Sequence, residues 1–395
     1  MQSMQQLESD MKTWRRELHQ HPELAFEENW TADYIHQRLL EFGFPAESIA
    51  RGIGGTGIVA TLCNPSELAP ARTIALRADM DALSMNEAGQ PAWHSRHPGR
   101  MHACGHDGHM AMLLGAAKWL RQNRSHLRQT VRFLFQPAEE NEGGARVMLQ
   151  DGLLQRFPID AIFGLHNFPG FDEGVFVVQP GSVMASYDNF TITIQGRGGH
   201  AAMPHLSIDP VPVAGQMITA LQSLVSRGNP LAPAVLSITR MDAGSAFNII
   251  PDQAVLRGTV RSLDSLLQDQ LESQMRLLVE NLARAMGATA ELQYQRCYPV
   301  TRNDPALTEE ARLIASAAFG ADQIRTDCPP SMGSEDFAFF SQQLPACYAK
   351  LGAGSGPGLH NTRYDFNDRL LVPGCRWWCA LAMGPSAQIQ SETAS

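Results

Sequence analysis

No run of this chain is apolar for long enough to cross a bilayer, and residues 1–20 are polar with charges of both signs. Neither a signal peptide nor a membrane-spanning helix is therefore expected. Basic runs and stripes are also missing. With 40 acidic against 31 basic residues and a net charge of −9, a nucleic-acid surface is not expected. Cysteine is sparse and unpatterned, an odd seven at Cys63, Cys104, Cys297, Cys328, Cys347, Cys375 and Cys379, with no CxxC spacing. That disfavours both a disulfide framework and a closed structural zinc site, and points to reduced thiols in the cytoplasm. Cys375 and Cys379, one helical turn apart beside Trp377 and Trp378, read as small buried hydrophobes. The glycine-rich Gly52-Ile53-Gly54-Gly55 lacks the Lys-Ser/Thr and helix of a phosphate loop, so a hairpin turn is expected. There is no internal repeat, and the one biased segment is the polar tail after Gly384. What remains is an ordinary globular composition, 44% hydrophobic and 18% charged over 395 residues, with room for about two domains.

Periodicity predicts helices over 4–20, with Leu7, Met11, Trp14 and Leu18 on one face, and over 29–41, stopping at Gly43. His19 and His21 read as surface or capping residues. Short strands are expected at 56–62, 73–76, 131–135, 161–165 and 346–351, and a helix at 110–120. Asp79, Glu139, Glu140 and His166 each follow the C-terminal end of such a strand, and His360 lies on the loop after one. In open α/β sheets ligands bind at that edge, so these distant residues can meet. Between 185 and 300 the order becomes strand–helix–strand–strand–helix–strand, the pattern of a ferredoxin-like unit. It reads as an insertion, giving a catalytic domain in two parts (1–184 and 301–395) around a separate domain at 185–300. The expected fold class is α/β, a central mixed sheet flanked by helices with an inserted α+β domain.

The chemistry centres on Met101-His102-Ala103-Cys104-Gly105-His106-Asp107-Gly108-His109. Thiolate and imidazole are ligands for zinc-like divalent ions. Cys104, His106, Glu140, His166 and His360 make five donors, more than a four-coordinate structural site needs. They suit two metals about 3.5–4 Å apart, which lower the pKa of a water and hold a carbonyl oxygen gaining charge. Adjacent Glu139 and Glu140 point apart, so one can bind metal while the other moves protons; the plain alternative is a pair of helix-opening carboxylates. Asp79 is placed to orient a ligand histidine, or to cap a turn. Asp81 reads as a turn cap, Asp107 as a helix N-cap, and His102 and His109 as packed or supporting residues.

Together with Gln136-Pro137-Ala138-Glu139-Glu140, Gly164-Leu165-His166-Asn167, Gly198-Gly199-His200-Ala201-Ala202-Met203-Pro204 and Met332-Gly333-Ser334-Glu335-Asp336-Phe337, this chain resembles the metal-dependent amidohydrolases. These include hippurate hydrolase, the N-acyl-amino-acid amidohydrolases and the auxin-conjugate hydrolases. The resemblance implies hydrolysis of N-acyl amino acids with two divalent ions, manganese or zinc, on Cys104, His106, Glu140, His166 and His360. It also implies Glu139 as acid/base, Asp79 in support, and His200 holding the oxyanion. The inserted domain is then a lid and homodimer interface, with Asn248 and Arg261 on the substrate carboxylate and Arg257 competing for that role. Arg77 stands where the carboxypeptidase branch of the wider family has a metal-binding histidine. A metallo-carboxypeptidase, an N-acyl-diamino-acid deacylase and a non-catalytic metal-binding scaffold are the alternatives.

Overall fold

The computed structural model describes residues 4–64, 72–140 and 142–384; the polar tail after Gly384 lies outside them. The chain divides into two compact units. One comprises Met1–Gly181, Arg302–Pro329 and Asp336–Ser395, the other Ser182–Thr301 with Pro330–Glu335.

The first unit is built on an eight-stranded sheet. Its first five strands are β1 (Ile49–Ile53), β2 (Gly57–Leu62), β3 (Thr73–Asp79), β4 (Thr130–Gln136) and β5 (Ala161–Phe168). They lie in the order β1-β2-β4-β3-β5, followed by the strands Ala346–Gly352, Phe176–Val177 and Ile324–Arg325. The central four, β4, β3, β5 and Ala346–Gly352, are mutually parallel, so their C-terminal ends share one edge. The Gly52–Gly55 turn joins β1 to β2 as an antiparallel hairpin.

Strand alternation separates two faces. Ile74, Leu76 and Ala78 of β3, Phe133 and Phe135 of β4, and Phe163 and Leu165 of β5 join a large apolar cluster with helices α1 (Met4–Gln20), α2 (Asn29–Glu41) and α3 (His106–Gln122). Their neighbours Arg77, Asp79, Gln136 and His166 therefore face the other way. Helix α3 is buried almost all round, and a Cβ at Gly115 would lie 2.3 Å from Met11 Sδ, so α1 and α3 touch backbone to side chain there. Cys375 and Cys379, on the helix Leu371–Met383, are buried in this core.

Four local expectations change. Helix α3 begins at His106, ahead of its apolar pattern, because Gly105 at φ +96° turns the chain into the helix. Gly105 is thus the N-cap, and Asp107 sits inside the first turn, bonded to His19 Nδ1 at 2.8 Å. His19 accordingly is fully buried rather than on the surface. Strand β5 continues to Phe168, so His166 lies within the strand rather than beyond it.

The second unit carries a four-stranded antiparallel sheet in the order Ala234–Ala243, Gln253–Ser262, Tyr187–Gln195, Thr289–Tyr298. Its helices Pro210–Ser226 and Ser265–Ala285 start at Asp209 and Asp264, whose side chains accept from Val211 N and Leu267 N. Met217, Leu221, Leu271, Met275 and Val279 from these helices close over Ile192, Ile194 and Leu256. This is the ferredoxin-like pattern read from the alternation. No helix among the described residues is long and apolar enough to cross a membrane.

Candidate active site

At the C-terminal edge of the parallel strands the first unit gathers donors from five segments. Ligand atoms of Asp79, His106, His109 and His166 lie within 4.8 Å of one another; the same holds for Cys104, Glu140 and His360, and for His106, Glu139 and Glu140. The groups join because Cys104 Sγ is 3.4 Å from His166 Nε2. His360, at φ +62°, is tied to the loop by its amide, which donates to Ala103 O at 2.8 Å. Its Nε2 then stands 3.1 Å from Glu140 Oε1. Cys104 and His360 thus meet, although 256 positions of sequence part them.

Hydrogen bonds on the outer sides of the histidines decide which nitrogens are available. His106 Nδ1 is 2.8 Å from the Asp81 carbonyl oxygen, and His166 Nδ1 is 2.7 Å from Asn167 O. A proton on each Nδ1 serves these bonds and leaves the Nε2 lone pairs pointing inward. His109 is different: Nδ1 is bonded to Asp79 at 2.6 Å and Nε2 to Asn167 Oδ1 at 2.7 Å, so both nitrogens have protein partners. Nε2 also lies 3.2 Å from the Asn167 amide, which donates to it, so protein groups occupy both sides of the ring. Asp79 does not hold the outer nitrogen of His106, which belongs to Asp81. It braces His109 and sits 3.8 Å from His106 Nε2.

His106 Nε2 and Glu140 Oε1 are sealed from solvent without a well-formed hydrogen bond, the second having only the His360 ring nitrogen beside it at 3.1 Å. Two such orphaned acceptor atoms, beside a thiol and two further imidazoles, fit divalent cations. Electrostatics agree. Burial lowers the His106 pKa, but Asp79 and Asp81 outweigh it and push it up to about 10. Burial, with His109 next to it, holds His166 well below the ordinary imidazole value. The carboxylates thus favour positive charge beside His106, which a cation on its neutral ring would supply in place of the proton, and burial keeps His166 neutral.

The turn bearing Glu139 and Glu140 is strained and braced. Ala138 has φ +55°, unusual for a residue with a Cβ. Its amide donates to Glu28 Oε1 at 2.8 Å, while the amides of Glu139 and Glu140 donate to the two oxygens of Asp81 at 3.0 and 2.9 Å. Burial, reinforced by Asp81, raises the Glu28 carboxyl to about 7. Asp81, expected only to cap a turn, therefore positions three candidate residues, and Glu28 had no sequence signal at all. Glu139 is buried, its Oε1 3.4 Å from the Asp336 amide. Arg77 takes no ligand role; its guanidinium donates to Asp79 at 2.7 Å, Gln136 at 2.7 Å and Asp336 at 3.0 Å.

The remaining candidates lie in the second unit. His200 is exposed in a two-stranded ladder opposite Ile249, next to Asn248, whose carbonyl accepts from Ala201 N. Arg261 stacks over Tyr187 at 4.0 Å and has no carboxylate partner among the described residues, whereas Arg257 is paired with Asp242 at 2.5 Å. The ladder carries Asn248 off beyond the Gln253 end of the strand Gln253–Ser262, and Arg261 is near the other. Eight residues of strand put those ends about 26 Å apart. Asn248 and Arg261 do not meet on one carboxylate within a single chain.

The family model for peptidase family M20/M25/M40 matches residues 75–384. The chain belongs to that family. It is 38% identical over 378 residues to a hippurate hydrolase of Campylobacter jejuni, covering 95% of this chain and 97% of that protein. It is also 38% identical over 370 residues to an N-acetylcysteine deacetylase of Bacillus subtilis, covering 93% and 95%. A thermostable carboxypeptidase of Saccharolobus solfataricus is 37% identical, covering 89% and 90%. Among solved structures, a dinuclear metal binding M20 peptidase of Bacillus subtilis superposes with a TM-score of 0.85 at 35% identity, covering 96% and 98%.

Proposed function

We propose that this M20 protein hydrolyses the amide bond of N-acyl amino acids, releasing a carboxylate and a free amino acid. The observation that carries the reading is the convergence of Cys104, His106, Glu140, His166 and His360 beside the buried Glu139, with two inward acceptor atoms left without well-formed hydrogen bonds. These five residues hold two divalent cations, manganese or zinc. When bound, the cations polarise the amide carbonyl and acidify water. Glu139 takes the proton from the attacking water and delivers it to the departing nitrogen. Asp81 fixes the main chain of that residue, and Asp79 steadies the histidine cluster through His109. His200 holds the carbonyl oxygen as it gains charge, across a homodimer formed through the second unit, and Asn248 and Arg261 serve the substrate carboxylate from separate places. Seven cysteines without framework spacing fit a cytoplasmic setting.

Names such as hippurate hydrolase and N-acetylcysteine deacetylase among relatives that span nearly the whole chain favour acylated amino acids over peptides. The test is Glu139→Gln, assayed on hippurate and N-acetyl amino acids with metal analysis of the same sample. Metal content should persist while turnover falls by a factor of about 100 or more; activity equal to wild type removes Glu139 from this role.

A further inference from the structure

Lys350 is a buried amine without a counter-charge. It lies in the strand Ala346–Gly352, only 4% exposed, directly opposite His166 in the parallel register with β5. By alternation it shares the sheet face of Arg77, Asp79 and His166, the face turned away from the large apolar cluster. Its Nζ is 4.6 Å from the centre of the Phe168 ring, which itself lies 6.2 Å from the His166 ring. Among the described residues no carboxylate pairs with it and no hydrogen bond is made to it. Lys118, by contrast, is paired with Asp10 at 2.7 Å.

Burial pushes the amine towards its neutral form, only the Phe168 ring face and the Cys328 thiol stand near enough to favour the charge, and buried lysines are normally paired. Yet Nζ is not among the polar atoms sealed from solvent without a partner, so the amine borders open space. An aliphatic residue would fill the same slot on the sheet without that penalty. A bound anion makes sense of a cation kept at this place, and the amide substrates of the proposed reaction carry carboxylates.

We propose that Lys350 is a specificity-determining residue that receives a substrate carboxylate beside the His166 end of the site. The inference rests on the amidohydrolase reading for the identity of the substrate, but not for the presence of an anion site. The carboxylate has two sources, a carboxyl group on the acyl arm or the α-carboxylate of the amino acid, and in the second case Lys350 takes the place given above to Asn248 and Arg261. Three related compounds separate them: N-butanoylglycinamide, which is neutral, N-succinylglycinamide, charged on the acyl arm, and N-butanoylglycine, charged at the α-position.

Each is assayed for kcat/KM with wild type and Lys350→Met, and for equilibrium binding by calorimetry in a Glu139→Gln background with and without Lys350→Met. A charge-assisted hydrogen bond corresponds to a preference of about tenfold or more for one of the charged compounds over the neutral one. Lys350→Met should abolish that preference and leave N-butanoylglycinamide unchanged; which charged compound loses identifies the source. Lys350→Arg should keep a preference. Because the substitution removes an unpaired buried charge, Lys350→Met should melt no lower than wild type, so lost binding cannot be ascribed to misfolding. Equal charged-to-neutral ratios in wild type and Lys350→Met overturn the proposal. Binding is read without turnover, so Glu139→Gln protein that binds the charged compound, with wild type that cleaves none of the three, contradicts the amidohydrolase reading alone.

Discussion

Arg77 offers a worked test of how the first unit holds its catalytic edge. It is 1% exposed, and its guanidinium links β3 to β4 through Gln136 and to the chain beyond residue 335 through Asp336, while also neutralising Asp79. Arg77→Met keeps much of the side-chain length and removes the charge. The three lost hydrogen bonds, to Asp79, Asp336 and Gln136, all have the charged guanidinium as donor and are each worth about 1.5–3 kcal/mol. Relief of the buried guanidinium's own desolvation offsets part of this, but Asp79 and Asp336 stay buried without it, for a net loss of about 3–5 kcal/mol. The assay is guanidinium unfolding of metal-free protein followed by tryptophan fluorescence. Trp14, Trp30, Trp93, Trp119, Trp377 and Trp378 all belong to the first unit, so the signal reports that unit whatever the other does. Arg77→Lys, with the charge but not the fork, should fall between. A loss below about 1 kcal/mol for Arg77→Met would refute the view that these charges are mutually dependent.

Other perturbations follow from the same contacts. Burial lowers the His19 pKa, but Asp107 overrides it and raises it to about 9, above an unfolded value of about 6.5. The pair's stabilisation is therefore complete below about pH 6.5 and is lost as pH rises through 9. Wild type should lose stability across that window and His19→Asn should lose less; parallel curves would contradict the pairing. Asp81→Asn removes the charge that receives the Glu139 and Glu140 amides and should weaken metal binding roughly 10–100-fold, measured by titration against a metal buffer. Unchanged affinity would show that the turn keeps its shape without that charge.

Much of this architecture is legible from periodicity. The apolar spacing of Leu7, Met11, Trp14 and Leu18 marks α1, and the alternation at 189–195 marks a strand of the second sheet. The donor residues stand out because cysteine, histidine and paired glutamates cluster beside glycine and follow strands. What stays hidden are partners whose roles depend on geometry alone. Asp81 acts through its main-chain carbonyl oxygen and through a carboxylate that accepts from two amides remote in sequence. Glu28 and His19 look like surface residues because the groups that bond to them, the Ala138 amide and the Asp107 carboxylate, lie far along the chain. The start of α3 at His106 is masked for a related reason: Gly105's left-handed backbone, rather than a polar cap, opens the helix. The separation of Asn248 from Arg261 needs the strand register before it can be seen.

The account stands on donors that are remote in sequence closing on a common pair of ions. Metal content by mass spectrometry on wild type, Cys104→Ala and His360→Ala, each refolding-checked by melting, tests it most directly. Wild type should carry two divalent ions per chain and each variant fewer, with residual binding at least tenfold weaker, on the order expected for a lost ligand. A wild type that binds no divalent ion, or variants that both retain the full complement, would contradict it.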